Sequence, residues 1–197
     1  PYFHGFVEQI KDSDTLLNVT TNGTFPIKGA EAWARELLPI TSDTKISINS
    51  IAKSINESIM VNANTDRSLK NIKTYLKVRD EIRAKNTEHR PTVTLQVTYM
   101  YKNLHSIIDI IKFAIENNVD RVKGHHLWVT YPELKKENLR NIEYHDMWNG
   151  FVDKIEKYRQ HIVLENFEKL IEKPEIVFED YSCPFIGKEL WIDSYGN

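Results

Sequence analysis

Apolar and polar residues recur in blocks along the chain, and the period changes from block to block. Phe3, Phe6, Val7 and Ile10 repeat at helical spacing. Residues 16–20 read as a short strand, stopped by the turn pair Asn22-Gly23. Ala30, Trp33, Ala34, Leu37 and Leu38 mark a second helix that Pro39 helps to end. A strand over 44–49 and a short helix near 54–60 follow. Leu69, Ile72, Leu76 and Ile82 then give a long helix, with Asn64 or Thr65 as its N-cap. The strand over 92–99 begins after Pro91 and is rich in Thr, Val and Tyr. Leu104, Ile107, Ile108, Ile111 and Ile115 form the next helix, with Asn103 placed as its N-cap. A fourth strand is expected over 120–128. From Pro132 to about Gln160 the chain is charged and reads as helical, with Met147, Trp148, Phe151, Ile155 and Tyr158 as a buried stripe. Residues 161–167 stand open between strand and helix.

Strand and helix in alternation predict parallel strands joined by right-handed crossovers, with functional groups at the C-terminal strand ends. The strands carry a further signal. Asn18 and Thr20 share one face of the first strand. Ser47 and Asn49 do so on the second, and Thr94, Gln96 and Thr98 on the third. Doubly covered strands usually read as continuous apolar runs. Polar residues on one face predict a polar barrel interior; a sheet with one face in water gives the same alternation.

Composition narrows the class. The 197 residues are 41% hydrophobic and 27% charged, ordinary for a globular domain, and the net charge of −2 gives no general reason to expect nucleic acid as partner. No apolar run approaches the roughly 18 residues of a membrane span. The single cysteine, Cys183, excludes an internal disulfide and fits a reducing, cytoplasmic setting. Beyond about Pro174–Asp180 the chain turns aromatic-rich and turn-bounded. Two domains are therefore expected, 1–175 and 176–197. Pro1 in place of Met, and a closing Tyr195-Gly196-Asn197 turn, read as the ends of an internal piece of a longer protein.

The order of short motifs resembles one family. Val19-Thr20-Thr21-Asn22-Gly23-Thr24 resembles the strand-end segment of radical S-adenosylmethionine (SAM) enzymes. Ile46-Ser47-Ile48-Asn49-Ser50 is similar to their next strand, usually Ser-x-Asp-Gly, here with Asn49 for the Asp. Leu95-Gln96-Val97-Thr98-Tyr99-Met100 followed by Asn103, and then Val119-Asp120-Arg121-Val122, resemble the strands after it. Cys183-Pro184-Phe185 with Leu190-Trp191-Ile192-Asp193 and Gly196 resembles the start of a SPASM domain, a cysteine-rich extension carrying auxiliary iron–sulfur clusters.

The resemblance implies an α/β fold: a partial (β/α) TIM-like barrel with outer helices, about four of its strands falling in this chain, plus the start of the SPASM-like extension. It implies reductive cleavage of SAM at a [4Fe-4S] cluster held by Cys thiolates, then hydrogen abstraction from a peptide or another sizeable substrate. An electron donor such as ferredoxin or flavodoxin is implied too. The family's three-cysteine motif and Gly-Gly-Glu-Pro segment are absent from these residues and are expected upstream. The stretch Ile59-Met60-Val61 lacks the Arg with which many relatives pair the SAM carboxylate.

On that resemblance Ser47 and Asn49 contact the ribose or amino-acid part of SAM, and Thr20, Thr21 and Asn22 border its pocket. Gln96 and Thr98 face adenosine or substrate. Each has a plainer reading: strand-end hydrogen bonding for Ser47 and Asn49, a simple turn for Asn22-Gly23. His125 and His126 are neighbours on a strand and point to opposite sides, so one alone faces the interior; His125 is taken as the contact. His145-Asp146 reads as surface. Cys183 is expected to ligate an auxiliary cluster with partners outside the chain; its alternative is a small buried hydrophobe. Two other readings compete: a (β/α) metal hydrolase using His125 or His126 with a carboxylate such as Asp193, and a non-catalytic barrel that binds a partner.

Overall fold

The computed structural model describes residues 2–11 and 13–171. Five strands form one sheet in sequential order: β1 (Leu17–Thr21), β2 (Thr41–Ser47), β3 (Thr92–Tyr99), β4 (Arg121–His126) and β5 (Val163–Glu165). Every neighbouring pair is parallel. A parallel step needs a long return connection. The returns carry α2 (Gly29–Leu37), α3 (Lys53–Ile59), α4 (Thr65–Lys85), α5 (Ile107–Glu116) and α6 (His145–Ile155), and α1 (Tyr2–Lys11) precedes β1. This is the α/β, partial TIM-like arrangement that the pattern predicts, with five strands rather than four because the open segment around 161–167 pairs beside β4.

The helices form for local reasons. Asn64 caps α4 by accepting from the Arg67 backbone N–H at 2.9 Å, and Ile72, Tyr75, Leu76 and Val78 bury one side of it. In α5 the buried residues are Ile107, Ile110, Ile111, Phe113 and Ala114, a helical stripe. These side chains pack with Ile46, Ile48, Val93, Leu95, Val97 and Val122 in one core. Each fully buried Ile, Leu or Val there contributes about 1.5–3 kcal/mol.

Three expectations need correction. The stretch after Pro132 is not one helix: 3-10 turns at Pro132–Glu137 and Ile142–Tyr144 precede α6. Trp148, Phe151 and Ile155 are buried as predicted, whereas Met147, one step (about 100°) round the helix from Trp148, is 44% exposed. Asn103 makes no side-chain cap; its amide reaches across to β2 and β3 instead.

The N-terminal strand ends are fixed by charge. Arg79, 1% exposed on α4, pairs with Asp120 at 2.8 Å and donates to the Asn118 carbonyl at 2.8 Å. Arg83 pairs with the other Asp120 oxygen at 2.7 Å and donates to the Pro91 carbonyl. Asp120 also accepts from the Val93 N–H, so one carboxylate ties α4, β3 and β4 together. Among the described residues no helix is long and apolar enough to cross a membrane. The expected boundary at 175/176, Cys183 and Asp193 lie outside the described residues.

Candidate functional site

Strand parity divides the sheet into two faces. One is the helix-covered core. The other carries Asn18 and Thr20 on β1, Lys45 and Ser47 on β2, Thr94, Gln96 and Thr98 on β3, Arg121, Lys123 and His125 on β4, and Glu165 on β5. The parallel register sets these in rows. Thr20, Lys45, Thr94 and Arg121 stand level; Ser47, Gln96, Lys123 and Glu165 form the next row toward the C-terminal ends. Thr98 pairs with His125 in the last row. Most of these residues are half-buried or exposed, while Ile46, Ile48, Val93, Val97 and Val122 are buried. Asn18, Ser47, Gln96 and Thr98 thus lie on the polar face and Ile48, Val93 and Val97 on the helix side, as parity predicts.

The residues singled out from the sequence fare differently. Thr20, Ser47, Gln96 and Thr98 share the open face, and among the described residues their side chains make no hydrogen bond, which leaves them available to a ligand. Thr21 is level with Ile46 and so belongs to the covered face; its Oγ1 accepts from the Gly23 N–H at 3.2 Å. Asn22 closes its own turn by accepting from the Thr24 backbone N–H and hydroxyl, and Gly23 supplies the positive φ of 75° that the turn requires. Asn71 on α4 holds that turn by donating to the Gly23 and Thr24 carbonyls.

Asn49 is buried just past β2, and its Oδ1 accepts from the Thr98 N–H at 2.9 Å. The side chain of Asn103 completes the clamp. It donates to the Asn49 and Thr98 carbonyls and accepts from the Met100 N–H. Asn56 accepts from the Asn49 and Ser50 N–H groups and donates to Thr65. Neutral amides therefore satisfy the backbone where β2 and β3 end, a place where an unpaired buried group would be costly.

His125 is exposed on the open face, and its pKa is lowered by partial burial and by the positive charges of Lys123 and Lys45. His126 points the other way. Its ring sits edge-on to Tyr99 and Trp148 at 5.3 and 4.6 Å, its Nδ1 is buried with no partner, and its pKa is lowered to about 4 by burial, Arg140 and His145. The two imidazoles lie on opposite faces, so they do not converge on one metal. Among the described residues no group of three or more His, Cys, Asp or Glu side chains comes together as a metal site.

Sequence reasoning missed two things. Lys45, Arg121, Lys123 and Glu165 put charge on the open face, and the alternation that located Ser47 and Gln96 also locates them. Glu165 pairs with Arg121 at 2.8 Å and Lys123 at 3.2 Å. Gly124 was also unmarked: it lies against the Tyr99 ring, where a Cβ would meet ring carbons at 2.0 Å. Burial raises the pKa of that Tyr99 phenol well above its ordinary value, with the charge of Glu168 adding to it.

Two cavities open at the C-terminal strand ends and share Leu127. One, of about 500 Å³, is lined by Thr98, Met100, Ile59 and Lys102 among others. The second, of about 570 Å³, is lined by His125, His126, Trp128, Arg140 and Asn166 among others. Parallel α/β sheets bind their ligands in this position.

A partial (β/α) barrel with a polar face leading to open strand ends defines the class of protein. No protein-family model and no curated protein matches the chain. Solved structures do. The fold is similar to Streptococcus suis SuiB bound to the precursor peptide SuiA, with TM-score 0.55 and 18% identity over 75% of this chain and 31% of that one. SuiB bound to S-adenosylmethionine gives TM-score 0.54 and 20% identity, over 75% of this chain and 32% of that one. The structure of anSMEcpe with bound AdoMet gives TM-score 0.52 and 13% identity, over 84% of this chain and 45% of that one. At these identities the likeness is one of fold. The chain spans about a third of SuiB's length.

Proposed function

We propose that residues 1–175 are core barrel of a radical SAM enzyme acting on a peptide. The observation that carries the reading is the open polar face: hydroxyl and amide side chains without internal partners, on a fold shared with structures that hold SAM and a precursor peptide. SAM presents a ribose diol, an adenine edge and an amino-acid group, all of which need polar partners. Ser47 and Gln96, level in register, with Thr20 and Thr98 beside them, suit the ribose and adenine. His125 borders the substrate. Asn49 acts through Thr98, holding that strand end in place. Thr21 and Asn22 shape the turn beside the pocket.

The described residues contain no cysteine, so they do not fit a [4Fe-4S] cluster. In this reading its thiolates would come from sequence outside the 197 residues; a bound cluster would supply the electron for SAM cleavage, with a cytoplasmic ferredoxin or flavodoxin as the donor. Residues 176–197 begin a SPASM-like extension in which Cys183 ligates an auxiliary cluster. Cys183→Ala in the full-length protein should lower iron content and the auxiliary paramagnetic signal; wild-type values would reduce Cys183 to a packing residue.

The test of the whole reading is anaerobic. Full-length protein reconstituted with iron and sulfide, then reduced, should convert SAM to 5′-deoxyadenosine. Gln96→Leu should weaken SAM binding by about tenfold, the loss of one good polar contact. Thr44→Val, on the covered face, should leave binding unchanged. Reconstituted wild type that makes no 5′-deoxyadenosine would overturn the proposal.

A further inference from the structure

The open face carries more positive charge than ribose and adenine recognition uses. Lys45, Arg121 and Lys123 face the same side of the sheet as Asp43 and Glu165. Both carboxylates are engaged: Asp43 accepts from the Thr92 and Thr94 hydroxyls, and Glu165 pairs with Arg121 and Lys123. Lys45 is half-buried and has no carboxylate partner among the described residues.

The geometry brings two ammonium groups within reach of one ligand. Lys45 is level with Thr94, and Lys123 is level with Gln96 on the intervening strand. Two strand spacings across and two residues along set their backbones about 12 Å apart, within the joint reach of two lysine side chains. Burial, and then the charges of Lys123 and Lys45, lower the pKa of His125 on the same face.

A neutral or cationic ligand would leave Lys45 without a counter-charge and facing a second cation. A carboxylate removes that repulsion: one oxygen accepts from Lys45 and the other from Lys123. We infer that Lys45 and Lys123 form a carboxylate-binding site on the barrel interior that selects an acidic peptide as substrate. The inference rests on the radical SAM reading for the peptide, and on the charge layout alone for the anion.

SAM has a carboxylate of its own, so the test has two arms. In the first, purified protein is titrated calorimetrically with a blocked tetraglutamyl peptide and with its tetraglutaminyl counterpart. Wild type should prefer the glutamyl peptide by about tenfold, the effect of one charge-assisted contact. Lys45→Met should abolish that preference, and Lys45→Arg, which keeps the charge, should retain it and show that the site still folds. In the second arm, SAM is compared with 5′-methylthioadenosine, which lacks the carboxylate; Lys45→Met should leave their affinity ratio unchanged. Equal binding of both peptides by wild type, or a preference that survives Lys45→Met, would overturn the site. A SAM preference that disappears in Lys45→Met would overturn the substrate assignment and give the carboxylate to SAM. Failure of wild type to bind SAM at all would count against the radical SAM reading only, because the peptide ratio is read independently.

Discussion

The two ends of the sheet are held by different chemistry. At the N-terminal ends a single carboxylate, Asp120, gathers Arg79, Arg83 and the Val93 N–H. At the C-terminal ends Asn49, Asn56 and Asn103 do comparable work with neutral amides. A buried ion pair fixes geometry but adds strong local fields. An amide clamp fixes geometry and leaves the field to other residues. Where the two cavities open, the sheet is fastened without charge, and the charged groups that line them, Arg140 and Glu168 in one and Lys102 and Glu137 in the other, come from the connections beyond the strands. The opposite end is fastened with ions.

The comparison can be broken at either end. Asp120→Ala takes one of two carboxylates from Arg79, which is 1% exposed and keeps Asp80 at 2.7 Å, and removes the carboxylate that pairs with Arg83. It should cost about 3–4 kcal/mol in urea denaturation, the lower part of the range for breaking a buried ion pair, because Asp80 still offsets the Arg79 charge. Asn103→Ala removes a fully buried amide and leaves the Met100 N–H and the Asn49 and Thr98 carbonyls short of partners. Its cost should be smaller, about 2–3 kcal/mol by the same measurement. If Asn103→Ala cost more than Asp120→Ala, the charged end would not be the more tightly fastened one.

Gly124→Ala sharpens the picture one strand away. The new Cβ would collide with the Tyr99 ring, and the expected loss is about 1–3 kcal/mol, the range for overpacking. Tyr99→Val in the same chain should make the Gly124→Ala increment nearly vanish, a non-additivity readable in a double-mutant cycle.

The smallest effect is a pH dependence. His126 is held neutral, its pKa lowered to about 4 by burial, Arg140 and His145, whereas an unfolded His titrates near its ordinary value of about 6.5. Between those values the unfolded chain binds the extra proton. The contribution of neutral His126 is therefore complete above the unfolded pKa and is lost as pH falls toward 4. His125, shifted in the same direction, adds to the slope. Melting temperature measured from pH 7 to 5 should fall less steeply in His126→Phe than in wild type; identical slopes would show that His126 does not sense the interior.

The open face was legible because strand side chains alternate strictly: Ser47 beside Ile48 and Gln96 beside Val97 leave little freedom about which points where. β5, three residues long, is too short to show alternation, so its segment stayed ambiguous. Asn103 sits where a helix cap belongs, and its real partner Asn49 lies 54 positions away, a contact that local sequence does not display. Lys45 and Lys123 follow the same alternation, but a lysine on a strand face reads from sequence as a solvated surface charge, and only the register sets the two on one side of the sheet. Gly124 carries no signal at all, because the reason for it is the Tyr99 ring on the neighbouring strand.

The most direct test of the open face as the binding face is amide chemical-shift mapping on isotope-labelled protein titrated with SAM. Shifts should concentrate at Thr20, Ser47, Gln96, Thr98 and His125, with residues of the covered face such as Val93 and Val122 little moved. Shifts centred on α2, α4 or α5, or no saturable shift at the strand ends, would contradict the placement.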